Sequence, residues 1–442
     1  MDEGKAWTSS QSTHLVVAAG AAARLALFLA APALCHALER RPELSTPLTS
    51  IRNLREGVFI YERGTNPYDG GVFYHSPVYL AFFTYILPVS SYLLTALLWT
   101  FADIASSIAL IRIWQTRAKF QSRKREFLVA GLFLFNPYTI LSCLARSTVS
   151  LDNAILIGAI ATTAIGHSLP ATCLLAIASH SSLYPLLLLP PLVMLLTKES
   201  PIAQKSTSVF HVTIQYIALH AAISGLNWIL ADRSWIAQTW GVIINVTDLT
   251  PNVGMWWYFF TEMFDHFRTF FLGVFQLHNL IYVVPICLRF SDDPLFATVI
   301  LVGIFGTWKS YPNLGDMALW AGLLGCFPEV ISNLRHPLFT LTVHLYTSIL
   351  LPLLHSLWLL TGTGNANFFY AATMVYGLNA SLAIVDVMGA GLRVQVKRKA
   401  SELLLREDLE DHKGIQDSSD KLTDKVWERK GWSVVQFTRS LM

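Results

Sequence analysis

A helix crosses a bilayer with about 20 consecutive, mostly apolar residues, and this chain supplies such stretches repeatedly. Candidates run over 12–35, 91–113, 127–145, 151–168, 182–197, 208–231, 269–287, 294–309, 316–333, 338–360 and 368–391. Two shorter apolar stretches, 76–90 and 170–179, read as re-entrant, tilted or fused with a neighbour. The pattern predicts an all-α, polytopic membrane helix bundle of about 10–12 spans. Backbone groups in lipid must satisfy one another, so the spans are helices rather than open strands. Composition points the same way: of 442 residues, 53% are hydrophobic and 14% charged, and the mean hydropathy is +0.46. A soluble domain carries about a quarter charged residues.

The chain divides into a bundle over 1–393 and a charged tail over 394–442, expected to be disordered and cytosolic apart from a short charged helix over 397–413. Lys397, Arg398 and Lys399 directly after the last span suit an end facing anionic lipid. The first apolar stretch lacks a basic start and carries Arg24, so it reads as an uncleaved span. An arginine at that depth costs about 2.5–3.5 kcal/mol unless it snorkels or pairs. The loop 114–126 is basic through Arg117, Lys119, Arg123, Lys124 and Arg125, which favours the cytosol. The long loop 36–75 lies on the opposite, lumenal side if 76–90 does not cross, and on the same side if it does.

Several function classes drop out. A net charge of +3 gives no footprint for a nucleic-acid partner. Five scattered cysteines form no C-x-x-C pair, so no metal site or redox motif is expected. No nucleophile elbow, phosphate-binding loop or dinucleotide fingerprint is present, and no cofactor is expected.

Three polar stretches stand out against the apolar background. In Leu249–Phe267, Pro251 and Gly254 open a helix that carries Trp256, Trp257, Tyr258, Phe259 and Phe260. Glu262 and His266, four apart, share one helical face on this reading. The cluster fits an interfacial aromatic belt or a platform for lipid or sugar; a metal site on Glu262, Asp265 and His266 lacks the usual spacing. In Lys309–Asp316, Lys309 either holds a phosphate or pairs with Asp316. In Thr361–Asn367, Asn365 and Asn367 suit sugar hydroxyls or phosphate, or simply cap the next helix. The residues alone favour the cap.

The runs Asn136–Cys143, Ser182–Leu186, Leu249–Phe267, Lys309–Pro312 with Gly315-Asp316, and Gly364–Ala371 resemble, in series, the PIG-U family of glycosylphosphatidylinositol (GPI) transamidase subunits. Asn66-Pro67-Tyr68 and Pro77 fit as well, so the resemblance covers roughly 50–391. It implies an endoplasmic reticulum membrane protein built like the GPI mannosyltransferases (a GT-C-like architecture). Its implied role is non-catalytic: helping to bind the GPI lipid or the C-terminal attachment signal. The implied chemistry lies in a caspase-like subunit, PIG-K, and the other implied partners are PIG-T, PIG-S and the GPI anchor attachment subunit. The resemblance shifts Asn365 and Asn367, with Phe368 and Phe369 behind them, toward glycan contact. Trp256, Trp257, Tyr258, Glu262, Lys309 and Asp316 are the further expected contacts for GPI or signal.

The alternative is a lipid-linked-sugar mannosyltransferase. Such enzymes carry an acidic motif in the first lumenal loop, often paired. Here Glu39, Glu43, Glu56, Glu62 and Asp69 are all well separated, which weakens that reading. A transporter would show an internal repeat with paired broken helices, and none is evident.

Overall fold

The computed structural model describes residues 3–117, 125–231 and 233–410, which form helices joined by turns and coil, with no strand among them. Helix α1 (Glu3–Ala30) leads into the short α2 (Pro32–Leu38), a coil, and α3 (Ile51–Glu62). Next comes α4 (Pro77–Ala81), prolonged by a π-helical turn over Phe82–Ile86. Pro77–Ile86 is ten residues, about 15 Å at 1.5 Å per residue, half of what a bilayer demands. It does not cross, so loop 36–75 and Arg117 lie at opposite ends of α5 (Tyr92–Arg117). Part of the basic 114–126 region (118–124) lies outside the described residues.

Arg24 pairs, as its burial requires. Its Nε donates to Asp103 Oδ2 of α5 at 2.7 Å and its Nη1 donates to Gly20 O at 3.1 Å. Both side chains are about 99% enclosed, so the two charges fix α1 against α5.

Helices α6 (Glu126–Leu134) and α7 (Pro137–Leu144) are joined at a 51° bend, as a broken span or a re-entrant pair. Asn136 causes the break: its side chain caps Tyr138 N and Pro137 withholds a backbone donor. Helices α8 (Val149–Ile165), α9 (Ser168–Ser181) and α10 (Leu189–Leu196) follow, with α8 packed against both α9 and α10. The chain then runs through α11 (Ile202–Ala231), the short α12 (Ser234–Ile236) and α13 (Val242–Asn245), and α14 (Trp256–Glu262). Helices α15 (Asp265–Ile281) and α16 (Val283–Arg289) lead to α17 (Pro294–Trp308), which is apolar on all sides and forms the centre of the molecule. Helices α18 (Leu314–Leu324), α19 (Pro328–Ile331), α20 (Pro337–Leu359) and α21 (Ala366–Glu410) complete the bundle.

Among the described residues six helices are long and apolar enough to cross a membrane, or seven with the bent pair counted as one span. The remaining candidate stretches are apolar helices of 10–17 residues, such as Val149–Ile165 and Pro294–Trp308, largely enclosed by the others. Outward-facing Phe101, Phe210, Phe270, Leu338 and Leu382 are more than half exposed, as surfaces solvated by lipid should be. Helix α21 continues past the last candidate span, 368–391, to Glu410, and the rest of the tail (411–442) lies outside the described residues.

Loop 36–75 is fastened to the bundle by charge. Arg146, in the turn between α7 and α8, adopts a left-handed backbone (φ 48°) and is fully buried. Its guanidinium bonds Glu39 and Thr95 Oγ1 and lies 4.5 Å from the centre of the Tyr92 ring. Arg55 holds the other Glu39 oxygen at 3.2 Å. Nearby Glu43 is buried with Oε1 unpartnered. Burial pushes its carboxyl pKa up, against smaller lowering by its own backbone N–H and by Arg41. The acids of this loop closest to the bundle are thus a bound ion-pair partner and a desolvated carboxyl.

Candidate functional site

The Leu249–Phe267 stretch is two helices, not one. Backbone at Met263 is extended (ψ 139°), which ends α14, and α15 starts at Asp265. Glu262 and His266 therefore do not share a helical face. The entry to α14 is a close approach that only glycine allows: a Cβ on Gly254 would sit 2.7 Å from the Pro312 ring. Asn252 Oδ1 holds the turn by accepting from Gly254 N at 2.8 Å.

The aromatic run splits by periodicity. Trp256 turns inward onto Phe260 and Phe275, the latter with ring centres 4.9 Å apart. Trp257 turns toward α20 and α21, 6.2 Å from Trp358 and 5.9 Å from Phe369. Tyr258 sits at the edge: its ring is 4.6 Å from Tyr370, and its hydroxyl donates to Asn367 Oδ1. The cluster is closed beneath by Leu44 of loop 36–75 and by Leu314.

Asn365 accepts from Phe368 N at 3.2 Å, so it caps α21. Asn367 does not cap; it meets Tyr258. Phe368 and Phe369 part company, Phe368 being 57% exposed and Phe369 fully buried. The turn before them is tight: Thr363 N and Gly364 N both donate to Leu357 O. Gly362 takes a left-handed φ of 68° there. The structure thus brings Trp257, Tyr258, Asn367 and Phe369 together in a rim and places Asn365 and Phe368 on its outer edge. Trp256 and Glu262 lie to either side of it.

Beside this rim runs an open groove of about 450 Å³. His355 and Leu359 of α20 form one wall, and Glu39, Arg40, Arg52, Tyr74 and Asp248 contribute to the others. His355 also stacks edge-on against Phe369, 5.3 Å between ring centres, which makes groove and rim contiguous. Arg40 and Arg52 have no ion pair among the described residues, so they present donors suited to phosphate. The Tyr74 phenol is pushed above its usual pKa, first by burial and then by the Asp248 carboxylate. It remains a neutral donor or acceptor at any physiological pH. The two arginines were visible in the sequence only as members of a mixed-charge loop; the return of α20 beside that loop places them in a groove.

Lys309 and Asp316 lie elsewhere, in the interior. Lys309 Nζ is 2.6 Å from Asp316 Oδ1, so the pair foreseen as one alternative is present. Asp316 also completes a capping box, accepting from Asn313 N at 2.9 Å while Asn313 Oδ1 accepts from Asp316 N at 3.2 Å. The pair lines a cavity of about 90 Å³ between α8, α9, α17 and α18. Asp152, Asn153, Ser181 and Tyr184 face the same space. Asp152 escaped the sequence reading, although an acid four residues into an apolar helix is a legible signal.

Comparison with known proteins gives the site its context. Residues 18–376 match the family described as GPI transamidase subunit PIG-U. The chain is 33% identical over 387 residues to the GPI transamidase component GAB1 of Saccharomyces cerevisiae, covering 87% of this chain and 96% of the yeast protein. It is 32% identical over 413 residues to the GPI-anchor transamidase component PIGU of Homo sapiens, covering 86% and 93%. A GAB1 homolog of Schizosaccharomyces pombe is 33% identical over 372 residues, covering 83% and 90%. All-helical architecture, the ordered series of motifs and these matches along nearly the whole chain agree: the chain belongs to the PIG-U family of GPI transamidase subunits.

Proposed function

We propose that this chain is the polytopic, non-catalytic subunit of a GPI transamidase in the endoplasmic reticulum membrane, and that it holds the GPI lipid during anchor attachment. The observation that carries the binding role is the continuity of the Tyr258–Asn367 rim with the arginine-bearing groove. A GPI glycan presents hydroxyls and phosphates above acyl chains. The rim and groove offer amide, phenol and guanidinium groups of matching polarity, over aromatic surface. Exposed Phe368 extends that surface toward lipid. Trp256 and Glu262 flank the contact, and the attachment signal is the second ligand this surface suits.

On this reading catalysis belongs to a caspase-like partner, PIG-K, with PIG-T, PIG-S and the GPI anchor attachment subunit completing the assembly. Glu39 is held by Arg55 and Arg146, and Glu43 is buried under protein. Neither resembles an accessible general base, and the relatives named above are transamidase components, so the mannosyltransferase alternative is not favoured.

The test is GPI attachment in cells that carry the chain as their sole copy. Tyr258→Phe combined with Asn367→Ala, and separately Arg40→Ala combined with Arg52→Ala, should lower surface display of GPI proteins while the complex still assembles. Removing one such contact weakens the hold on a ligand by about tenfold. Normal display in both variants, at normal chain levels, would contradict glycan contact at this surface.

A further inference from the structure

The interior cavity has a chemistry of its own. Asp152 uses only Oδ1, which accepts from Tyr79 Oη at 2.7 Å and from Ser181 Oγ at 2.6 Å. Its Oδ2 takes no hydrogen bond among the described residues. Asn153 is 93% buried and spends its Nδ2 on Gly315 O at 2.8 Å, leaving Oδ1 equally unengaged on the cavity side. Lys309 pairs with Asp316 at 2.6 Å and lines the same space as Asp152, so two carboxylates share one ammonium. The Tyr184 hydroxyl is committed to Ser310, accepting from its backbone N at 2.9 Å. The space therefore holds two carboxylates against the one ammonium of Lys309, with Asp152 Oδ2 and Asn153 Oδ1 left to accept.

Size narrows the occupant. Pockets for drug-sized ligands run about 300–1,000 Å³, and this one is about 90 Å³. It admits the tip of a molecule, a few heavy atoms long. Thr49, Ser182 and Tyr311, all in connecting segments, form one end of it, while Leu156, Val302 and Leu319 form an apolar floor. Thr49 belongs to the same coil whose Leu44 underlies the rim, so that end lies toward the groove.

We propose that this cavity binds a small protonated primary amine, the aminoethyl end of an ethanolamine headgroup, with Asp152 as counter-ion and Asn153 Oδ1 as second acceptor. The inference deepens the GPI-binding reading and rests on it for one of two sources. The amine belongs either to an ethanolamine phosphate of the glycolipid or to an ethanolamine phospholipid of the bilayer. An ammonium donates three hydrogen bonds and carries the missing charge. A trimethylammonium group donates none and is bulkier.

The experiment uses the whole complex purified in mild detergent at neutral pH. Binding of 2-aminoethyl phosphate is measured by calorimetry beside phosphocholine, and beside sodium and potassium chloride at matched ionic strength. The expected result is saturable binding of 2-aminoethyl phosphate, about tenfold or more weaker for phosphocholine and for Asp152→Asn. Ser181→Ala, which keeps the carboxylate and removes one of its donors, should shift the affinity as well and carries the test if Asp152→Asn fails to assemble. Equal binding of phosphocholine, no effect of either substitution, or heat from the alkali salts alone would overturn the proposal. Mass spectrometry of co-purified lipids separates the sources: loss of ethanolamine phospholipid in Asp152→Asn assigns the bilayer lipid, and loss of GPI assigns the glycolipid. The rim variant Tyr258→Phe with Asn367→Ala should bind 2-aminoethyl phosphate normally. Failure of the glycan reading at the rim is therefore distinguishable from failure here.

Discussion

Asn365 and Asn367 look equivalent in the sequence and are not equivalent in the molecule. Asn365 is a helix cap whose loss to alanine should lower stability by about 1 kcal/mol. Asn365→Ser should restore that stability, read as the thermal midpoint of the purified complex. Asn367 carries the surface contact through Tyr258, so its substitution should affect attachment more than stability. Motif recognition finds both residues at once, but only the geometry of the turn separates cap from contact. A second residue-scale expectation concerns His75, which lies in loop 36–75 with Nδ1 buried and unpartnered. Burial pushes its pKa from 6.5 down to about 3. The folded protein thus keeps His75 neutral where the unfolded chain would protonate it. The stability tied to this residue is whole above pH 6.5 and is lost progressively as pH falls toward 3. His75→Phe, which keeps the ring beside Phe73 and Tyr79, should flatten the pH dependence of the thermal midpoint between pH 7 and 5.

Elements are held by contacts that single positions reveal. Arg24→Met alone leaves Asp103 buried without its partner and should destabilise the α1–α5 pairing by about 3–5 kcal/mol. Adding Asp103→Leu should recover most of that loss, measured as complex yield and thermal midpoint. The sequence shows that Arg24 needs a partner; it does not show which, because Asp103 lies 79 residues away. The crossing of α17 and α21 rests on Gly391, where an added Cβ would meet the Phe296 ring at 2.2 Å. Gly391→Leu should force these helices apart, whereas Gly391→Leu with Phe296→Ala should be tolerated better. Element boundaries followed the same logic. The bend at Asn136-Pro137 was legible from proline and a capping residue, while the break at Met263 carries neither signal and joined α14 to α15 in the sequence reading.

At the scale of the whole molecule, apolar periodicity announced a membrane bundle but did not distinguish helices that span from helices that fill. Val149–Ile165 and Pro294–Trp308 are as apolar as the longer helices and are enclosed by them. Hydropathy measures solvent preference, and the protein interior and lipid answer it alike. Length shows Pro77–Ile86 too short to cross, which puts loop 36–75 and Arg117 at opposite ends of α5. The rim, groove and cavity all gather near that loop, which supplies Leu44 to the first, Arg40 and Arg52 to the second, and Thr49 to the third. The central claim is that this surface serves a transamidase assembly by holding its lipid. Its most direct test is purification of the chain from its own cells in mild detergent, with mass spectrometry of the proteins and lipids that come with it. Recovery of a caspase-like subunit, the other transamidase subunits and GPI is the predicted result; recovery of the chain alone, with a dolichol-phosphate sugar and sugar-transfer activity, would contradict it.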